Sequence, residues 1–125
     1  DPVKKEKVVD LVPIPGRGSV VSMAQADGKV FAVLSGPTLV VYDVAKKDIV
    51  HRADVTLGNV HEISLGRWKD GLIYGLTHRC LFTLDPKTYE IKEFAAPTAP
   101  ISCGWAITDT GIYFGSGVHL MRYRW

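Results

Sequence analysis

The side chains best suited to chemistry in this sequence are His61 and Glu62, His78 and Arg79, and Trp105. An imidazole titrates near neutrality, so His61 or Glu62 could bind a ligand or transfer a proton. Neighbours on a strand point to opposite faces, however, and the two act together only if a bulge intervenes. His78-Arg79 falls in a short loop between two apolar runs, where binding residues are often carried. An indole such as Trp105 offers a flat face to a sugar when exposed and simply packs when buried. Trp68, beside Arg67 and Lys69, is open to the same two readings.

The stronger signatures of chemistry do not occur. The chain has no His-Glu-x-x-His, no Cys-x-x-Cys and no Gly-x-Ser-x-Gly, so the sequence assigns no catalytic residue, metal ligand or cofactor. Cys80 and Cys103 lack metal-ligand spacing and read as separate buried thiols. They would pair only if the fold brought their Cα atoms within about 7 Å. Gly16-Arg17-Gly18-Ser19 lacks the Lys-Ser/Thr ending of a phosphate loop and leads into a strand, which makes it a turn. His51 and His119 read as structural or exposed.

The elements that must position these residues follow a repeat. Asp27-Gly28-Lys29-Val30-Phe31 runs to Val40-Val41-Tyr42-Asp43; Asp70-Gly71-Leu72-Ile73-Tyr74 runs to Phe82-Thr83-Leu84-Asp85; Thr110-Gly111-Ile112-Tyr113-Phe114 runs to Met121-Arg122-Tyr123-Arg124. Glycines 28, 71 and 111 align in this reading, and Phe31, Tyr74 and Tyr113 share one position, an aromatic that would pack between neighbouring units. Each segment is an apolar run, a turn and a second apolar run, which predicts an antiparallel hairpin. A first strand precedes each hairpin (Ser19 to Ala26, Val60 to Leu65, Ile101 to Thr108), aligning Val21, His61 and Ser102 in one row and Ser22, Glu62 and Cys103 in the next. Turns rich in Asp, Lys and Pro follow the first two hairpins and lead to fourth strands, Ile49–Val55 and Tyr89–Phe94.

Four short antiparallel strands in each unit of about 40 to 50 residues are the signature of β-propeller blades. The fold class expected is therefore all-β. Residues 1–18 hold an orphan fourth strand around Lys5–Val12, 19–57 and 58–97 hold one blade each, and 98–125 a three-stranded blade. Three blades cannot close a ring, and their outer sides would leave apolar faces and strand edges uncovered. The remaining blades belong either to a longer parent chain or to a second copy. In a pair of copies each N-terminal strand would complete the partner's last blade. Because the chain opens on Asp1-Pro2 without a Met, we expect a piece of something longer.

Tyr42-Asp43 and Leu84-Asp85, each closing a third strand, together with the Asp70 to Thr88 pattern, resemble YVTN and quinoprotein-like β-propeller repeats over nearly the whole chain. The resemblance implies a binding or scaffold module within a larger propeller, with a small molecule or sugar at the mouth of its channel. The alternative is the C-terminal part of a propeller enzyme, such as a lyase, a lactonase or a glycan-active hydrolase. His61, Glu62, His78, Arg79 and Trp105 are the binding residues expected on either reading, and fold analogy favours an extracytoplasmic location. Composition agrees with a folded domain: of 125 residues, 46% are hydrophobic and 22% charged. The net charge of +2 leaves no footprint for nucleic acid. No apolar run approaches the roughly 20 residues of a membrane-spanning helix.

Overall fold

The computed structural model describes residues 11, 13–14, 17–55, 64–67 and 70–125. They form eleven strands: β1 (Arg17–Ala26), β2 (Lys29–Gly36), β3 (Thr38–Asp43), β4 (Asp48–Asp54), β5 (Ser64–Arg67), β6 (Ile73–Leu76), β7 (Leu81–Leu84), β8 (Ile91–Ala95), β9 (Cys103–Thr108), β10 (Gly111–Ser116) and β11 (His119–Arg124). All strand pairings are antiparallel. A first sheet runs β1-β2-β3-β4, a middle sheet β5-β6-β7-β8, and a third sheet β9-β10-β11. Among the described residues there is no helix, and so none long and apolar enough to cross a membrane. The expected orphan strand, apart from Leu11, lies outside the described residues, as does Trp68.

Local chemistry explains where the strands stop. Asp27 and Gly28, with φ of 52° and 72°, make the tight turn between β1 and β2. The turns after β3 and β7 are built alike. The Asp43 carbonyl accepts the Lys47 N–H at 2.8 Å, and the Asp85 carbonyl accepts the Tyr89 N–H at 2.8 Å. The carboxylates of Asp43 and Asp85 accept backbone N–H groups of Lys46 and Lys87 at 2.9 and 2.8 Å. Lys47 and Tyr89 both take positive φ, 56° and 67°, so these two residues occupy the same place in successive units.

Register corrects the sequence alignment at two points. Ala26 pairs with Lys29 across Asp27-Gly28, whereas Thr108 pairs with Gly111 across Asp109-Thr110. Gly111 thus stands on a strand at the place of Lys29, one residue beyond the turn glycines. Phe31, Tyr74 and Tyr113 do share a position, each one residue past the pairs Val30–Tyr42, Ile73–Leu84 and Ile112–Tyr123. On the first strands, Ser22 faces Val33, Ser64 faces Leu76 and Cys103 faces Gly115. The row expected to contain Glu62 therefore contains Ser64.

Strand alternation then assigns the two faces of each sheet. Phe31, Val33, Leu39 and Val41 of the first sheet share one core with Ile73, Phe82 and Leu84 of the middle sheet. Tyr74, Leu76 and Leu81, on the opposite face of the middle sheet, share a second core with Ile112 and Phe114, flanked by Trp105, Ile107, Met121 and Tyr123. The middle sheet is buried on both faces, which is why β6 is buried at every residue. Gly75 sits opposite Phe82 in the ladder. A Cβ there would lie 2.1 Å from Phe82 Cζ, so the ring lies across bare backbone.

Across the first seam the sheets meet most closely through β1 and β5. The Ser22 hydroxyl there accepts the Leu65 N–H at 2.9 Å. Toward the later strands aromatic rings fill the seams. Tyr89 meets Phe31 at 6.0 Å and His51 at 4.5 Å between ring centroids. In the second seam Phe94 meets Tyr74 at 6.0 Å and Tyr123 at 5.2 Å.

Candidate functional site

His78 and Arg79 lie in the turn between β6 and β7, and Thr77 holds that turn. The Thr77 side chain is fully buried, and its hydroxyl accepts the N–H groups of Arg79 and Cys80, each at 3.0 Å. The Thr77 N–H in turn reaches the Cys80 carbonyl at 2.9 Å. Arg79 is exposed and His78 half-buried. The His78 carbonyl accepts the Ile101 N–H at 2.9 Å, which ties the turn to the segment leading into the third sheet. The first seam repeats this device: the Pro37 carbonyl, between β2 and β3, accepts the Val55 N–H at 2.8 Å. The backbone of the His78 turn is thus part of the seam, and the side chain it offers outward is Arg79.

Trp105, on β9, is half-buried and packs across the second seam. A Cβ on Gly66 would lie 3.1 Å from its indole Cζ2, so the ring rests on a strand that has no side chain there. Gly66 pairs with Tyr74, further along the sheet than Leu76, where the His78 turn begins. Trp105 and the His78-Arg79 turn therefore stand at different levels of the stack. His61 and Glu62 lie outside the described residues.

Cys80 is a free, buried thiol 3.5 Å from the Thr77 hydroxyl. Burial pushes its pKa up, the Glu93 carboxylate adds to this, and the Thr77 hydroxyl opposes it. A thiol held neutral in this way is a packing group and a poor nucleophile. Among the described residues no group of three or more His, Cys, Asp or Glu side chains is placed to hold a metal ion.

One concave feature was not expected from the sequence. It is a groove of about 640 Å³ on the face of the first sheet turned away from the middle sheet. Met23, Val30, Ala32, Val40, Tyr42 and Ile49 line it, with Leu11, Ile14, Val44 and Lys47, and Ala32 and Val40 are buried. Met23 and Val44 are about half exposed, at 53% and 52%. A signal for it was present: Val30 to Leu34 and Leu39 to Tyr42 are apolar in both phases of the alternation, as strands covered on both faces are.

On the far face of the third sheet, Tyr113 and Leu120 hold the positions that Phe31 and Leu39 hold on the first sheet. Tyr113 bonds the Thr110 hydroxyl at 2.8 Å, and the Arg122 guanidinium lies 6.0 Å from its ring centroid. The Thr110 hydroxyl first, then Arg122, holds the Tyr113 phenol below its ordinary pKa. Leu120, on β11, is 77% exposed, and Val118, in the turn before that strand, 97%.

Residues 3–123 match a family described as a domain of unknown function, DUF5074. No curated protein matches the chain. Among solved structures, the crystal structure of the computationally designed Ika4 protein is similar, with a TM-score of 0.55 at 10% identity. That likeness covers 94% of this chain and 99% of the designed one, and it bears on the fold alone.

Proposed function

The chain belongs to the DUF5074 family, and we propose that it is part of a larger β-propeller and serves as a binding or scaffold module. The observation that carries this reading is the head-to-tail order of the sheets. The first sheet turns Phe31, Val33, Leu39 and Val41 to the middle sheet, which turns the matching residues Tyr74, Leu76 and Leu81 to the third. Every seam is therefore made by the same pair of faces in the same order. The close approach of β1 to β5, with rings filling the seams further out, suits wedge-shaped units around an axis. In this reading the first strands line a channel, residues 5–12 supply the fourth strand of a blade, and ligands meet His61, Glu62 and the turn of His78 and Arg79 at the channel mouth.

An experimental structure of the assembled protein tests the architecture. Four to eight sheets about one axis are expected, and three sheets stacked with no further sheet against Tyr42 or Tyr113 would overturn it. Incubation with pooled oligosaccharides, read by mass, tests the module. Retention without change is the expected result. Cleavage products that vanish in Glu62→Gln would replace the module with an enzyme.

A further inference from the structure

We draw no further inference here: the strongest candidate, the apolar groove lined by Met23, Val30, Tyr42 and Ile49 on the face of the first sheet turned away from the middle sheet, is an unpartnered face, and nothing in the structure shows what covers it.

Discussion

Leu81 in the middle sheet and Leu120 in the third hold the same position in the same kind of strand, yet one is 0% and the other 77% exposed. Nothing in the hairpin itself separates them. The difference is that the middle sheet has a neighbour on each side and the third sheet has one. Burial in this molecule is a property of the stack, as it is in repeat proteins, where each unit contributes half of two interfaces. The middle sheet can therefore put Tyr74, Leu76 and Leu81 on one face and Ile73, Phe82 and Leu84 on the other. The third sheet places Arg122 and Tyr113 on its uncovered face, where a guanidinium and a phenol still reach water.

The sharpest way to break this comparison is to truncate both leucines. Leu81→Ala removes a side chain packed on all sides and should cost about 2–5 kcal/mol. Leu120→Ala, in the unassociated chain, should stay within about 0.5 kcal/mol. Urea denaturation at the lowest workable protein concentration measures both, and equal losses would mean that the two faces are not distinct. Gly75→Ala comes next. The new methyl collides with the Phe82 ring, and displacing that ring disturbs the first seam, for an expected loss of about 1–3 kcal/mol by the same measurement.

Much of this architecture was legible in the sequence, for reasons that differ by element. The hairpins were legible because Asp-Gly turns and alternating apolar runs are local signals, and Asp27-Gly28 and Asp70-Gly71 carry them plainly. Gly111 misled because a glycine also tolerates the conformation it adopts on the strand, φ 143°. Only the pairing of Thr108 with Gly111 shows that Asp109-Thr110 is the turn. The Glu62 row was misjudged because first-strand register depends on partners across the ladder, which spacing does not encode. Among the candidate site residues, the exposure of Arg79 follows from its place in a turn. The packing of Trp105 depends on Gly66, a residue of another sheet, and could not be read from its neighbours in the chain.

The tyrosines sharpen the comparison further, because one position gives opposite electrostatics. Tyr74 bonds the Asp70 carboxylate. Burial foremost, then that bond and the Asp70 charge, push its pKa well above the ordinary 10.0. Tyr113, on the uncovered face, is shifted downward. A raised pKa means the folded state holds the proton longer, so this contribution to stability is complete below pH 10 and is lost as pH climbs beyond it. A lowered pKa acts in the opposite sense, favouring the folded state as its phenol ionises first. Tyr74→Phe should cost about 1 kcal/mol near neutrality, for the lost hydrogen bond, and flatten the alkaline fall. Tyr113→Phe should steepen it. Urea midpoints on either side of pH 10 separate the two, and parallel profiles would remove the distinction between the seam and the open face.

The smallest effect expected is at an ion pair across the first seam, Lys87 with Asp27, whose side chains are 77% and 38% exposed. An attraction so open to water is screened by salt and opposed by the entropy of holding a long lysine, and a double-mutant cycle should return about 0.2–1 kcal/mol, falling as salt is added. The pair thus does little to hold the sheets together, which the apolar core between them already does. Its value lies in orientation, because an acidic first turn set against a basic second turn favours one sequence of faces over its reverse. Exchanging the charges, Asp27→Lys with Lys87→Asp, should therefore restore most of what either change loses alone. A coupling of zero at low salt would leave the order of the stack to apolar shape and to hydrogen bonds such as that of Leu65 with Ser22.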